Sequence, residues 1–232
     1  LADFPHYLMH RAEQLDNLYI FKNTEGAPEN IRKFHPNIIV SSTGSAPLLP
    51  PIAGLKDRID NENHNIYSIL GMISHINDFP KDLEGKKVVV VGGGAVGLDV
   101  VEFFADRNAD ISIVEMMDQI GRDLDPVSKN DTKTMMKKHN VHQLTKTALL
   151  EVKDSSFLVR GDGEPYELPF EYGFVCLGMR AQGQLYQNLT EEFSSEDVEI
   201  MNIGDSQRAR RIIDGTQEGR NILTVLEQKG YL

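Results

Sequence analysis

Cysteine and tryptophan are almost missing from this sequence of 232 residues, which has one cysteine, Cys176, and no tryptophan. A single cysteine excludes an internal disulfide and a cysteine-rich metal site, and it favours a reducing, cytoplasmic setting. No apolar run reaches the ~18 residues of a membrane-spanning helix. The start, Leu1-Ala2-Asp3-Phe4-Pro5, lacks the basic and apolar stretches of a signal peptide. It also lacks an initiator Met, which suggests a processed chain or a piece of a longer one.

Basic residues are scarce relative to acidic ones, with 24 lysines and arginines against 35 aspartates and glutamates and a net charge of −11. Such a surface repels phosphate backbones and anionic lipids, so nucleic acids and membranes are poor partners. The net charge does not exclude a local anion site built from backbone N–H groups. Hydrophobic residues make up 40% and charged residues 25%, which is ordinary for a soluble globular protein.

The distribution of apolar residues predicts an α/β fold. Four consecutive β-branched residues, 88–91, indicate a buried strand, and strands 111–115 and 141–144 follow with a helix before each. Parallel strands require such helical crossovers. Pro126 suits the first position of the second of these helices, which should run to Lys138.

The remaining segments predict a meander and two flanks. Short strands separated by polar turns indicate an antiparallel meander, and an apolar run after it indicates a return to the parallel sheet. The flanks predict three helices and three further strands. The expected meander and return strands are 149–152, 157–160, 166–168 and 174–177; the expected flanking helices are 6–17, 68–76 and 210–229, and the strands 18–21, 37–42 and 200–203.

A glycine motif joins the predicted strand 88–91 to the helix that follows. In Gly92-x-Gly94-x-x-Gly97, the first glycine permits a tight turn, the second lets a pyrophosphate approach the backbone, and the third allows close helix–strand packing. Unpaired N–H groups at the helix start favour phosphates. A structural turn without a ligand is the alternative. The candidate phosphate-binding residues are Gly92, Gly93, Gly94, Ala95, Val96 and Gly97.

An acidic residue closes the next predicted strand. Glu115 stands about 20 residues after the glycine motif, where a carboxylate can accept hydrogen bonds from the adenosine ribose hydroxyls. The same carboxylate would repel a 2′-phosphate, and Met116 and Met117 provide no cation for one. The sequence therefore predicts NAD(H) as the cofactor rather than NADPH.

Several short motifs follow one another in a specific order that spans nearly the whole chain. These motifs are Ser42-Thr43-Gly44-Ser45-Ala46-Pro47, the glycine motif, Ile120-Gly121-Arg122-Asp123, Leu177-Gly178-Met179-Arg180, Ile203-Gly204-Asp205-Ser206, Arg210-Arg211-Ile212-Ile213-Asp214-Gly215 and Glu218-Gly219. Their order resembles the flavoprotein reductases that contain two dinucleotide-binding domains. Within that group the chain is similar to the 2-enoate reductases and 2,4-dienoyl-CoA reductases.

The resemblance implies a Rossmann-like NAD-binding domain inserted into a partial FAD-binding domain. Residues 84–179 would form the NAD domain, with a parallel sheet and the antiparallel meander. Residues 1–83 and 180–232 would form the partial FAD domain.

The resemblance also implies roles for single residues. Thr43 and Gly44 would border the crossover on the FAD side, and Asp205 would accept a hydrogen bond from the FAD ribityl chain. Gly178 and Asp99 would lie near the nicotinamide, although a plain stabilising charge in the first helical turns is an equal explanation for Asp99.

Several family features are missing. No glycine fingerprint for the FAD pyrophosphate precedes Gly44, and the flavin-bearing barrel, the iron–sulfur cysteine cluster and the redox-active cysteine pair are absent. We therefore expect the C-terminal, NADH-binding portion of a multi-domain reductase that binds FAD weakly or not at all by itself. It would pass hydride from NADH to FAD, for reduction of an enoate-type substrate outside this chain, and its partners would be the remaining domains of the parent protein.

Two other functions fit the same glycine loop. A non-catalytic NAD sensor is one, and a methyltransferase with a similar glycine loop is another, which the motif order disfavours.

Core packing explains Cys176 better than reactivity does. The histidine pairs 6/10 and 139/142 lack an evident third ligand, so no metal site is expected. Arg208, Arg210 and Arg211 would either meet a phosphate or form an exposed cationic helix start, and the oligomeric state is open.

Overall fold

The computed structural model describes residues 3–231. Leu1, Ala2 and Leu232 lie outside this range, and the first two belong to the segment on which the expectation about a signal peptide rests. The helices in this range are α1 (Asp3–Glu13), α2 (Pro28–Arg32), α3 (Leu55–Arg58), α4 (Ile69–Ser74), α5 (Ala95–Ala105), α6 (Pro126–Lys138), α7 (Gln184–Glu192) and α8 (Ile212–Gln228). The strands are β1 (Ile38–Ser41), β2 (Ser45–Pro47), β3 (Ile66–Tyr67), β4 (Lys87–Val91), β5 (Asp110–Val114), β6 (His142–Leu144), β7 (Ala148–Val152), β8 (Ser156–Arg160), β9 (Tyr166–Pro169), β10 (Tyr172–Val175), β11 (Met179–Ala181) and β12 (Glu199–Asn202).

The described chain divides into two compact units. The larger unit combines Ser42–Gln182 with the residues from Ile203 onward. The smaller unit combines the residues up to Ser41 with Gly183–Asn202. No helix in the described range is both long and apolar enough to cross a membrane.

A five-stranded parallel sheet forms the centre of the larger unit, in the order β3-β10-β4-β5-β6. Side chains alternate along β4: Val88 and Val90 belong to the core that contains α5, whereas Val89 and Val91 belong to the core that contains the meander. Both faces of this strand are therefore covered, which is why its sequence is continuously apolar. The predicted parallel sheet is confirmed.

The predicted meander is also confirmed. Strands β7, β8 and β9 pair antiparallel in sequence order, and Phe157 and Val159 of β8 are fully buried. Helix α6 begins at Pro126 as predicted, because the carboxylate of Asp125 accepts hydrogen bonds from the N–H groups of Val127 and Ser128. A side chain at this position satisfies donors that have no partner inside the helix.

The smaller unit has a small core. Ile39 of β1 packs with Leu189 and Phe193 of the α7 region, and β1 pairs in parallel with β12. Helix α1 buries none of its side chains. The predicted strand 18–21 is wrong: the segment is irregular, and its four apolar side chains are 44–77% exposed. High β-propensity forms no strand unless a neighbouring strand satisfies its backbone groups.

Candidate dinucleotide-binding site

A cleft of about 590 Å³ opens at the carboxyl ends of β10, β4 and β5 in the larger unit. The chain leaves β4 through α5 towards β5 on one side, while β10 returns to pair with β4 on the other side. The direction of connection thus changes between β4 and β10. In open α/β sheets this switch point is where ligands bind.

Each glycine of the motif between β4 and α5 has a separate structural reason. Gly92 has a φ of +109°, and a Cβ there would lie 2.1 Å from the carbonyl oxygen of Cys176. A Cβ on Gly97 would lie 1.9 Å from the carbonyl oxygen of Gly92. A Cβ on Gly94, in contrast, would have no protein atom within 4 Å. The first and third glycines are therefore required by the fold, whereas the second leaves open space that a ligand can occupy.

The start of α5 is built to attract an anion. Gly94 is its N-cap residue, no side chain caps it, and the first helical hydrogen bond runs from the N–H of Leu98 to the carbonyl of Gly94. Helix geometry leaves the N–H groups of Ala95, Val96 and Gly97 without partners inside the helix. With the positive end of the helix dipole, these donors suit a diphosphate.

Glu115 follows β5 and turns towards the glycine motif. Its Oε2 accepts a hydrogen bond from the N–H of Gly93 at 2.6 Å, and its Oε1 accepts one from the N–H of Met117 at 2.7 Å. A carboxylate has further acceptor positions, so both oxygens can still take hydrogen bonds from sugar hydroxyls. The predicted acid and the predicted glycine turn are therefore in direct contact.

The wall of the cleft is otherwise apolar. Among its described lining residues, only Glu115, Thr147 and Cys176 have polar side chains. Burial raises the pKa of the Cys176 thiol to about 12, and the nearby carboxylate of Asp99 adds to this effect. The thiol therefore stays protonated at neutral pH, which agrees with a packing role.

Asp99 lines a different cavity. This second cavity, of about 340 Å³, lies between α5 and α6, where Asp99 is accompanied by Glu102 and Asp131. Desolvation raises the pKa of the Asp99 carboxyl, and the negative charge of Glu102 raises it further. Gly178, in contrast, lines the first cleft, at the carboxyl ends of β10, β4 and β5.

The residues predicted to meet FAD form a second cluster in the larger unit. The hydroxyl of Thr43 donates to the carbonyl of Gln182 at 2.7 Å, and the N–H of Gln182 donates to the carbonyl of Gly44 at 3.0 Å. Ser45 donates from its hydroxyl to Oδ2 of Asp205 at 3.1 Å. Thr43, Gly44 and Asp205 are therefore brought together, in a place separate from the glycine motif.

Sequence reasoning missed the residue that supports the Asp205 turn. Oε2 of Glu218 accepts a hydrogen bond from the N–H of Gly204 at 2.6 Å, and its Oε1 pairs with Nη2 of Arg210 at 2.5 Å. The N–H of Arg210 in turn donates to Oδ1 of Asp205 at 3.1 Å. Glu218 belongs to a motif that the sequence displays, but neither spacing nor residue type reveals this role.

The remaining candidate side chains have ordinary roles. Arg211 pairs with Asp214 at 3.7 Å, and Arg210 pairs with Glu218. Two of the three arginines near the start of α8 therefore have carboxylate partners within the chain. Residues 3–231 contain no group of three or more histidine, cysteine, aspartate or glutamate side chains that could hold a metal ion.

Comparison with known proteins gives consistent matches. The family model of the pyridine nucleotide-disulphide oxidoreductases matches residues 14–201. The NADH oxidase of Thermoanaerobacter brockii is 26% identical over 82% of this chain and 28% of its own length. The cinnamate reductase of Clostridium sporogenes is 21% identical over 82% of this chain and 27% of its own length.

A solved structure of a 2-naphthoyl-CoA reductase in complex with 2-naphthoyl-CoA matches 94% of this chain and 31% of its own, with a TM-score of 0.76 at 21% identity. This likeness shows a common fold. The chain spans about a third of the length of each of these three proteins, or less.

Proposed function

Because the chain belongs to the pyridine nucleotide-disulphide oxidoreductase family, whose model matches residues 14–201, we propose that it is the NADH-binding portion of a larger flavin oxidoreductase. The observation that carries this proposal is the open space at Gly94 in front of the uncapped start of α5, with Glu115 beside it. When bound, the nicotinamide supplies a hydride to the flavin of the parent protein.

The residues of the cleft would hold the dinucleotide in a fixed order. The N–H groups of residues 94–97 would bind the diphosphate, and the Glu115 carboxylate would bind the adenosine ribose. The apolar segment from Cys176 to Gly178, at the end of β10, would exclude water around the nicotinamide. The residues present therefore fit an NADH molecule along the carboxyl edge of the sheet.

The domain arrangement is part of the proposal. Residues 84–179 would form the NAD domain, and residues 1–83 and 180–232 the partial FAD domain. The contact between Ser45 and Asp205 joins two segments that flank residues 84–179 in the sequence, as this division requires. Both segments, and strand β3, belong to the larger unit together with the NAD domain. The flavin site would include Thr43, Gly44 and Asp205. Asp99 lines a separate cavity, so it would act near the nicotinamide only if the bound cofactor changes the surroundings of the Asp99 carboxyl.

The need for further domains has physical support in the smaller unit. In the described residues, β1 and β12 form a parallel sheet of two strands. Parallel sheets are normally larger and covered on both faces. We infer that other parts of a longer parent protein extend this sheet, complete the FAD site and provide the site for an enoate-type substrate.

Titration of the purified chain with NADH, NADPH and FAD tests the proposal. We expect NADH to bind, NADPH to bind at least about tenfold more weakly because Glu115 repels its 2′-phosphate, and FAD to bind weakly or not at all. Tight binding of FAD with no binding of NADH would overturn the proposal.

A variant of the acid sharpens this experiment. In Glu115→Gln the preference for NADH over NADPH should shrink severalfold, because the repulsive charge is gone. Glu227→Gln, which removes a charge from the exposed end of α8, is the matched control and should leave the preference unchanged.

A further inference from the structure

Two residues of the loop between β5 and α6, Ile120 and Gly121, contact the glycine motif, although neither is among the described residues that line the cleft. The N–H of Gly121 donates to the carbonyl of Gly93 at 2.7 Å. A Cβ on Gly93 would lie 3.1 Å from Cγ1 of Ile120, so the Ile120 side chain packs directly against this glycine. Ile120 also packs on the core that contains α5, which holds the loop in place.

The main chain at Gly93 is held at both of its polar groups. Its N–H donates to Oε2 of Glu115 at 2.6 Å, and its carbonyl accepts the hydrogen bond from Gly121. Both partners belong to the stretch of chain that follows β5. The two peptide groups that meet at Gly93 are therefore both fixed in orientation.

Fixing the carbonyl of Gly93 also fixes the N–H of Gly94, because the two belong to one planar peptide group. This peptide is trans, so its C=O and N–H point in opposite directions. The N–H of Gly94 therefore points away from Gly121. Gly94 itself lines the cleft, and a Cβ there would have no protein atom within 4 Å. The hydrogen bond from Gly121 thus sets the direction of a donor at the residue where we expect the diphosphate.

The geometry of the loop requires glycine at position 121. Gly121 has a φ of +65°, which is in the left-handed region that residues with a Cβ disfavour. A Cβ there would also lie 3.1 Å from Cδ1 of Leu124. Any larger residue at this position strains the loop at the N–H that holds Gly93.

We propose that Gly121 is a positioning residue whose N–H, supported by the packing of Ile120 on Gly93, aims the N–H of Gly94 at the diphosphate of the bound dinucleotide. This inference rests on the proposed NADH site and adds a role for the loop between β5 and α6. The diphosphate is common to NADH and NADPH, whereas the choice between them belongs to Glu115. Loss of the contact should therefore weaken the binding of both by the same factor.

Titration of Gly121→Ala with NADH and NADPH tests this role. We expect both affinities to fall by about three- to tenfold, on the scale of one weakened hydrogen bond, with the preference for NADH unchanged. Gly85→Ala is the matched control, because Gly85 has a φ of +73° in an exposed turn before β4 and a Cβ there meets no atom within 4 Å. It introduces a similar backbone strain and should bind both cofactors as the wild type does.

A second pair of variants decides the matter even if Gly121→Ala does not fold. Ile120→Ala removes the side chain that packs on Gly93, and it should also weaken the binding of both cofactors by about threefold or more. Ile69→Ala is its control, because Ile69 is also half-buried against the same core but lies in α4, outside the described lining of the cleft. It should lower the melting temperature to a similar extent and leave both affinities unchanged.

The possible outcomes separate this inference from the function on which it rests. If the wild type does not bind NADH, the proposed function fails. If the wild type binds NADH but folded Gly121→Ala, or Ile120→Ala in its place, binds it as tightly as the control, the positioning role is refuted and the NADH site stands. A loss of affinity for only one of the two cofactors would also refute the role, since it would place the effect at Glu115.

Discussion

Replacing Gly94 by alanine separates ligand binding from folding at the glycine motif. Gly94 has φ −79° and ψ −178°, which any residue can adopt, and an alanine Cβ would meet no protein atom within 4 Å. The unfolding free energy should therefore change by no more than about 1 kcal/mol, the scale of a glycine-to-alanine change at an unstrained position. The melting temperature should stay close to that of the wild type.

The added methyl group would stand where the diphosphate approaches the start of α5. Displacing a phosphate from even one charge-assisted hydrogen bond costs about 1.5–3 kcal/mol. Each 1.4 kcal/mol corresponds to about tenfold in affinity. We therefore expect the NADH affinity of Gly94→Ala to fall by about tenfold to a hundredfold although the protein stays folded.

The assay pairs NADH titration by calorimetry with thermal unfolding of the same preparations. Gly163→Ala is the matched control, because Gly163 lies in an exposed turn of the meander and a Cβ there also has no neighbour within 4 Å. It should match the wild type in both measurements. Gly94→Ala that binds NADH as tightly as the control would refute the placement of the diphosphate.

Three further changes give distinct results. Gly97→Ala should lower the melting temperature, because its Cβ would lie 1.9 Å from the carbonyl oxygen of Gly92, and thermal unfolding would show it. Cys176 should resist alkylation at pH 8 in the folded protein, since burial raises the pKa of its thiol to about 12; rapid labelling seen by mass spectrometry would contradict this. The hydrogen bond from Gly204 and the pairing with Arg210 lower the pKa of the Glu218 carboxyl, so its contribution to stability is present at neutral pH and lost as the pH falls through that lowered pKa. The stability difference between wild type and Glu218→Gln should accordingly shrink in acid, and denaturant titrations that give the same difference at pH 7 and pH 3 would exclude this role.

The sequence predicts the larger unit well because its signals are local. The four valines before Gly92, the proline that starts α6 and the turns of the meander each set structure within a few residues. The family resemblance read from the motif order is confirmed by the family match to residues 14–201. The segment 18–21 shows the limit, since its β-propensity is strong but the described residues give it no partner strand.

Some residues of the candidate site could be predicted from the sequence and others could not. The glycine motif and Glu115 are readable because backbone geometry and a strand period determine their positions. Asp99 is different: it follows Gly97 by two positions on α5 and lines the cavity that it shares with Glu102. The contacts of Glu218 join Gly204 and Arg210 to α8, so only a three-dimensional structure reveals them.

The most direct measurement is a titration of the ¹⁵N-labelled chain with NADH, followed through its backbone amide signals. We expect the largest shifts at the amides of Gly94, Ala95, Val96 and Gly97, with a second group at Met116 and Thr147. Binding that leaves these amides unchanged and shifts signals elsewhere would show that the start of α5 does not hold the dinucleotide.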